Sequence, residues 1–365
     1  MFEPIMHRIR ARLAGPPAIT AAATEVIELH PFEEQPVSPA FVLPGQLQRA
    51  TATHGFTTLP FELARVASVR TFHAPTLAMR FENAVLIDGV LFANGARHNL
   101  VLDRERLMPS WSRVPELHGV AFASSAVGSH SFGHFIAEDC ATAHAAREKG
   151  VVYFAATRTP KSAHARRYLE IYGLAPLREI ANARLHDVWV FQDFAMNGHK
   201  RARLHALRER VKAIPAARTG HGVFFRRRSG GQARLLANEA ALEERLAKEG
   251  FDVIDVMQED LDTILRRVRG ASVVCGVEGS ALMHGLFAMA DGGAVVSIQP
   301  PHRFCMVLKD HADVFGHHTG IAVGIGTEES FELPERDLLR TLDLAWERVA
   351  TSERHVNEAR RAAYG

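Results

Sequence analysis

Four strand-length apolar runs decide the fold of the C-terminal half: GVFF at 222–225, FDVIDV at 251–256, ASVVC at 271–275 and AVVSI at 294–298. β-Branched and aromatic residues of this kind favour strands. Helical patterns separate the runs. Two of these helices end at Gly250 and Gly270, and Ser280 can serve as the N-cap of a third helix that extends to about Met289. This alternation of strands and helices predicts a doubly wound parallel sheet.

The N-terminal half shows two other patterns. From about residue 40 to residue 115, short β-like runs are separated by Gly, Asn and Pro, which predicts a β-rich elaboration. An apolar run at 119–124, a helical stretch over 132–149 and VVYFA at 151–155 follow. This order predicts a strand–helix–strand unit.

Length and charge limit the class of protein. A chain of 365 residues is longer than a single hydrophobic core usually supports, so we expect two domains. Together with the strand and helix patterns, this predicts an α/β protein with domains over 1–205 and 206–334 and a terminal helix over 335–365. The formal net charge is only +2, so no overall field draws the chain to nucleic acid or to an anionic membrane.

The cysteines and the apolar runs indicate the compartment. Cys140, Cys275 and Cys305 are odd in number and not closely paired, which favours a reducing environment. No run approaches the ~20 apolar residues of a membrane span, and we expect a cytoplasmic protein.

The first residues carry a short amphipathic pattern. Helical spacing places five apolar side chains opposite a basic face: Phe2, Ile5, Met6, Ile9 and Leu13. A helix packed on its own domain, or a frayed end, explains them best. The alternative is a weak peripheral contact with the inner face of the membrane.

Ligands of doubly wound sheets bind beyond the carboxyl ends of the strands, which directs attention to three loops. The first, RRRSGGQAR at 226–234, begins and ends with the arginines Arg226 and Arg234. The rigid fork of a guanidinium suits a diphosphate. Arg227 and Arg228 can equally belong to a solvated turn, because successive residues leaving a strand point in opposite directions.

The second loop is GVEGSA at 276–281. Gly279 lets the backbone approach a ligand, and a helix starting at Ser280 would favour a phosphate. Glu278 would repel a phosphate, so we expect it to accept a hydrogen bond from a ribose or sugar hydroxyl. A tight turn without a ligand is the alternative interpretation.

The third loop leads into the helix that carries His134 and Glu138. These residues are four apart and so share one helical face. A helix N-terminus disfavours imidazolium, which keeps His134 in the neutral state that a general base needs, and Glu138 can orient it or act as the base. A packing histidine is the simpler alternative, and a metal site with His130 is another.

Taken in order, three segments resemble glycosyltransferase family 61. They are SFGHFIAE at 131–138, FR at 225–226 followed by RLLANE at 234–239, and GVEGSALMHGLF at 276–287. The resemblance spans roughly residues 120–300. The chain departs from the family in having Glu278 where members usually carry His, and Phe-Gly-His-Phe where they have Tyr-Phe-His-Trp.

The resemblance implies a GT-B fold, in which two Rossmann-like domains face each other across a cleft and the terminal helix packs back toward the N-terminal domain. It implies an inverting transfer without metal or cofactor. The donor would be a nucleotide sugar, with a UDP-sugar favoured, and the acceptor a carbohydrate, as in bacterial polysaccharide biosynthesis.

On this interpretation Arg226 and Arg234, with the backbone at Gly279 and Ser280, neutralise the diphosphate leaving group. His134 or Glu138 removes the proton of the acceptor hydroxyl. Two alternatives remain open. One is a non-catalytic nucleotide-sugar or glycan-binding protein of the same fold, and the other is a metal-dependent hydrolase that uses His130, His134 and Glu138. Asp260-Leu-Asp262 resembles a metal-binding Asp-x-Asp, but helix capping explains it better.

Overall fold

The computed structural model describes residues 7, 15, 17–102, 114–157, 161–227 and 234–364. The chain forms two compact units. Unit 1 contains Met1–Glu33 and Phe72–Leu207, and unit 2 contains Glu34–Thr71 and Arg208–Gly365. The expected amphipathic pattern of Phe2 to Leu13, Arg228, and residues 103–113 of the β-rich elaboration lie outside the described residues.

The strands in chain order are β1 (Glu25–His30), β2 (Glu33–Pro36), β3 (Phe41–Val42), β4 (Arg70–His73), β5 (Thr76–Ile87), β6 (Val90–Ala93), β7 (Ala96–Asn99), β8 (Glu116–Leu117), β9 (Val120–Phe122), β10 (Val151–Ala155), β11 (Glu179–Ile180), β12 (Ala183–Gln192), β13 (His221–Arg226), β14 (Asp252–Asp255), β15 (Ala271–Val277), β16 (Ala294–Gln299), β17 (His318–Val323), β18 (Ile325–Gly326) and β19 (Phe331–Glu332).

The α-helices within the described ranges are Ile19–Ala22, Leu59–Val66, Ala126–His130, Phe132–His134, Cys140–Ala146, Ala163–Ile171, Gly198–Lys212, Glu239–Lys248, Leu261–Val268, Leu282–Ala288, Val307–Val314 and Glu335–Tyr364. A π-helical turn spans Phe135–Asp139. Two 3₁₀ turns span Leu47–Arg49 and Pro301–Arg303.

Unit 2 is built on a parallel sheet with the order β14-β13-β15-β16-β17-β3. The four runs that predict strands from the sequence form β13, β14, β15 and β16, so the doubly wound pattern is found. From β13 the chain proceeds to β14 on one side, and it then returns to β15 on the other side. The sheet therefore has its topological switch point between β13 and β15, where ligands bind in folds of this type.

Unit 2 differs from the domain division drawn from the sequence at both ends of the chain. Residues 34–71 supply β3 and the helix Leu59–Val66 to unit 2. The helix Glu335–Tyr364 packs on the sheet of unit 2, where Leu338, Leu342 and Val349 are buried in the same core as β15 and β16. The physical reason is the stripe of apolar residues on one helical face, which the sheet of its own unit buries.

Unit 1 contains a mixed sheet with the order β11-β10-β9-β12-β5-β6-β7. Strands β9, β10 and β11 are parallel, and β12 pairs in parallel with β9 but antiparallel with β5. The long β5–β12 ladder carries buried residues such as Phe81 and Val188. The predicted strand–helix–strand unit is β9, the interrupted helix over 126–146 and β10. Of the β-rich elaboration, β5 to β7 lie in this sheet and β3 lies in unit 2.

No helix in the described ranges combines the length and the apolar character needed to cross a membrane. Both units are α/β structures that contain parallel strands.

Asp260 caps the helix Leu261–Val268, as its sequence pattern predicts. One carboxylate oxygen accepts the amide of Thr263 at 2.9 Å, and the other accepts its hydroxyl at 2.9 Å. These hydrogen bonds favour the ionised carboxylate and lower the pKa of Asp260 below its ordinary 3.8. The stabilisation is therefore present at neutral pH and is lost as the pH falls through the lowered pKa.

We predict that Asp260→Ala lowers the melting temperature, because the helix loses an acceptor for its first-turn amides. Asp260→Asn keeps a capping oxygen and should melt close to the wild type. The difference between the Ala variant and the wild type should shrink as the pH falls through the lowered pKa of Asp260. A melting temperature that depends on added Mn²⁺ in the wild type but not in Asp260→Asn would instead support a metal role.

Candidate functional site

Several charged residues of unit 2 follow strands at the carboxyl edge of the sheet. Arg227 comes directly after β13, Glu278 directly after β15, and Arg303 shortly after β16. Because β13 and β15 border the switch point, the first two lie beside the crevice that this topology creates. The order of the strands thus collects residues that are far apart in the sequence.

Arg234 and Glu278 form a buried ion pair at this edge. Nη1 of Arg234 lies 2.5 Å from Oε2 of Glu278 and also donates to the backbone carbonyl of Glu278. Only 8% of Arg234 and 9% of Glu278 are exposed. Nη1 of Arg227 lies 3.5 Å from the same carbonyl. Two guanidiniums therefore converge on one turn of the backbone.

Gly279 makes this convergence sterically possible. Its φ of +150° lies in a region that side chains rarely adopt. A Cβ at this position would lie 2.6 Å from Nη1 of Arg227 and 3.0 Å from Nη1 of Arg234. The glycine that the sequence marked for close backbone approach thus accommodates the two guanidiniums.

The cluster carries more positive than negative charge. Burial, and after it the positive charge of the neighbouring Arg234, lower the pKa of Arg227 to about 10. Burial also lowers the pKa of Arg234, and Arg303 acts in the same direction on both. Arg227, Arg234 and Arg303 outnumber the carboxylates of Glu278 and Glu239 that act on Arg227, so positive charge is in excess here. A bound anion would relieve this repulsion.

Arg226 points elsewhere. It forms an ion pair with Glu243 of the helix Glu239–Lys248, and its Nη1 lies 3.8 Å from Asp255. The backbone amide of Arg227 donates to Glu239 at 2.7 Å. Successive residues at the end of β13 therefore diverge, and the structure brings Arg227, rather than Arg226, to Glu278 and Gly279. The alternation of side chains along a strand predicts that Arg226 and Arg227 point in opposite directions. It does not predict which of the two faces Glu278.

Ser280 lies in the turn before the helix and does not begin it. The helix is Leu282–Ala288, and the carbonyl of Ser280 accepts the amide of Met283 at 3.2 Å. Because the helix has only seven residues and starts two positions later than the sequence predicts, we assign it no role of its own in binding an anion.

In unit 1, His134 and Glu138 lie together on a helical face, as their spacing predicts. Nδ1 of His134 is 3.7 Å from Oε1 of Glu138. The histidine side chain is 21% exposed and the glutamate side chain only 3%. The π-helical turn Phe135–Asp139 contains Glu138, and such wide turns occur often at functional sites. The histidine is thus the member of the pair that reaches solvent.

Lys200 forms a buried ion pair with Glu138. Its side chain is completely buried and also donates to the carbonyl of Asp193. Asp193 in turn receives two hydrogen bonds from Arg203, at 2.6 and 2.8 Å. Burial lowers the pKa of Lys200 well below its ordinary value, and the positive charge of Arg203 acts in the same direction. Glu138 is therefore the end of a buried network of charges.

Sequence reasoning did not identify Lys200, because the helix Gly198–Lys212 reads as a basic, solvated helix. A signal was present in its periodicity. Lys200 is in phase with Leu204, Leu207 and Val211, all of which are fully buried. A lysine on the apolar stripe of a helix indicates a buried charge that needs a partner.

The structure does not support the alternative metal site. The helix Ala126–His130 ends at Ser131, whose backbone is extended, so His130 and His134 do not share a continuous helix. Among the residues that the structure describes, no three His, Cys, Asp or Glu side chains are grouped to hold a metal ion, and His130, His134 and Glu138 are all among them.

The fold and the site define a class: an α/β protein with a cluster of arginines at the switch point of a parallel sheet. Residues 132–296 match the family model described as Glycosyltransferase 61. The matched range includes His134, Glu138, Arg227, Arg234 and Glu278. The match supports the resemblance drawn from the sequence.

Other comparisons add little. No curated protein matches the chain. Among solved structures, the metal-soaked Flv1 flavodiiron core from Synechocystis sp. PCC6803 is similar at 10% identity and a TM-score of 0.26. The similarity covers 76% of this chain and 64% of that chain, and it is too weak to support an inference.

We predict strong coupling between Lys200 and Glu138 in stability. Lys200→Met and Glu138→Gln should each lower the free energy of unfolding by about 3–5 kcal/mol, because each leaves one buried charge without its partner. The double variant leaves neither charge and should regain much of the loss. Urea unfolding of the four proteins measures the coupling. If the two single effects simply add, the pair is not coupled as the structure indicates.

Proposed function

We propose that this chain is a glycosyltransferase that transfers a sugar from a nucleotide-sugar donor to a carbohydrate acceptor. The convergence of Arg227 and Arg234 at the switch point of the parallel sheet carries the proposal. This convergence lies within the segment that matches Glycosyltransferase 61. The arginines are suited to bind a diphosphate, and the family match suggests that this diphosphate belongs to a nucleotide sugar.

The donor would bind in unit 2 through its diphosphate. Arg227 and Arg234 neutralise the charge that develops as the bond between the anomeric carbon and the leaving oxygen breaks. Arg234 is buried and Arg227 is half-buried, and charges act more strongly where water is excluded. Arg303 adds to the positive field, whereas the charge of Arg226 is compensated by Glu243 and Asp255. Fixed guanidiniums then serve the purpose of a metal ion, and a UDP-sugar is the donor we favour.

The acceptor would be activated by unit 1. His134 takes the proton of the acceptor hydroxyl while that oxygen attacks the anomeric carbon, and the diphosphate leaves with the electron pair of the broken bond. This single displacement inverts the configuration. Glu138, which Lys200 holds, orients the imidazole rather than acting as the base. We propose that the units form a GT-B enzyme of bacterial polysaccharide biosynthesis, which works in the cytoplasm, at the inner face of the membrane if the N-terminal segment binds lipid.

A second candidate is a binding protein of the same fold without turnover. The observation in its favour is the ion pair of Glu278 with Arg234, which places a carboxylate where a phosphate would bind. Such a protein would bind nucleotide sugars but would not consume them. Release of the free nucleotide in the presence of acceptor separates the two candidates.

The donor site predicts selective stabilisation by a nucleotide. With chelator present, one of UDP, GDP, CMP or dTDP, or its sugar, should raise the melting temperature, because a ligand that binds only the native state stabilises it. Arg227→Ala and Arg234→Ala should abolish the shift. Arg245→Ala, which removes a half-buried arginine of unit 2 that is ion-paired with Glu249, is the control and should keep the shift. An undiminished shift in both cluster variants would contradict the proposed site.

The assignment of the base predicts a loss of turnover without a loss of donor binding. His134→Ala should reduce kcat by roughly 10²–10⁴, the usual contribution of a general base, and leave the nucleotide-induced thermal shift unchanged. His118→Ala, which removes an exposed histidine of the same unit, serves as the control. Turnover that survives in His134→Ala would exclude His134 as the base.

A further inference from the structure

Glu278 lies inside the arginine cluster, which we define as Arg227, Arg234 and Arg303. Its carboxylate is 2.5 Å from Nη1 of Arg234, and the pKa values of Arg227 and Arg234 both respond to its charge. Glu278 counteracts the lowering of these two pKa values, whereas Arg303 adds to it. Glu278 therefore stabilises the cluster in the protein without ligand.

The cluster still has capacity for a ligand. Nε of Arg234 is buried and makes no hydrogen bond to any residue in the described part of the chain. A buried guanidinium without its full set of acceptors is costly, and a ligand with several oxygens can supply them. Nη1 of Arg234 donates to the backbone carbonyl of Glu278 and forms an ion pair with its carboxylate, so Glu278 leaves the Nε donor unused.

We propose that Glu278 is an internal counter-ion of the donor site, which the phosphate oxygens displace when the ligand binds. This inference rests on the proposed function, since it concerns the same site. A ligand must compete with the carboxylate for Arg234, so Glu278 weakens the binding of every phosphate-bearing ligand. The same competition speeds the departure of the nucleoside diphosphate that the reaction leaves behind.

The counter-ion role differs from a role as a donor ligand. A carboxylate that accepts a hydrogen bond from a ribose hydroxyl would strengthen nucleotide binding and would not affect a ligand without ribose. A counter-ion weakens the binding of both kinds of ligand. Inorganic pyrophosphate has the phosphate oxygens but no ribose, and it therefore separates the two roles.

Calorimetric titration with inorganic pyrophosphate and with UDP tests the inference. Glu278→Gln keeps the shape of the side chain and removes its charge, so it should bind pyrophosphate roughly ten-fold more tightly than the wild type, as expected when one screened like charge is removed. Glu249→Gln, which removes an exposed arginine-paired carboxylate of unit 2, should bind as the wild type does. The gain should shrink as salt is raised.

Each remaining outcome has a definite meaning. Pyrophosphate binding that is unchanged or weaker in Glu278→Gln overturns the counter-ion role, while the donor site stands if Arg234→Ala abolishes binding. Tighter pyrophosphate binding without any UDP binding supports the counter-ion and contradicts the nucleotide donor. Absence of pyrophosphate and UDP binding in both proteins overturns both proposals.

Glu278→Asp provides a second test in case Glu278→Gln does not fold. Glu278→Asp keeps the charge but shortens the side chain, so it weakens the contact with Arg234. We expect this variant to bind pyrophosphate with an affinity between those of the wild type and the Gln variant. Binding weaker than that of the wild type would overturn the inference.

Discussion

The parallel pairing of β13, β15 and β16 is the constraint on which the candidate donor site depends. Parallel strands end at one edge of a sheet, so the residues that follow them meet there whatever their separation in sequence. The change of strand order between β13 and β15 makes the loops at this point diverge. Arg227 and Glu278 leave the sheet on either side of the resulting crevice, and the requirement for Gly279 follows from how closely the guanidiniums approach the backbone.

Both units bury charges, but they balance them differently. In unit 1, Lys200 meets Glu138 and Arg203 meets Asp193, so each buried cation has its own carboxylate. In unit 2, the three arginines of the cluster outnumber the carboxylates of Glu278 and Glu239, which both act on Arg227. Burying an uncompensated charge costs several kcal/mol, which a protein tolerates where a ligand later supplies the missing charge. The balanced network fixes a geometry, whereas the unbalanced cluster favours an anion.

Sequence patterns predicted what depends on local periodicity. The strands β13 to β16 and their helices follow from alternating apolar runs and glycine stops, and the shared face of His134 and Glu138 follows from helical spacing. Long-range choices were not predictable. β3 contains only Phe41 and Val42, which is too short a pattern to predict the sheet that β3 joins. The apolar stripe of the last helix predicts that one face is buried but not which unit buries it. Arg226 and Arg227 differ only in the direction in which β13 turns them.

The contrast between Glu138 and His134 also bears on which of them handles the proton. A general base must contact the acceptor hydroxyl, and Glu138 is enclosed and engaged with Lys200, whereas His134 retains an exposed surface. Taking up a proton would cost Glu138 its ion pair and leave the Lys200 charge buried. A proton on His134 would gain attraction from the carboxylate 3.7 Å away. In the proposed reaction, the electrostatics of the network therefore favour the histidine as the proton acceptor and the glutamate as its fixed partner.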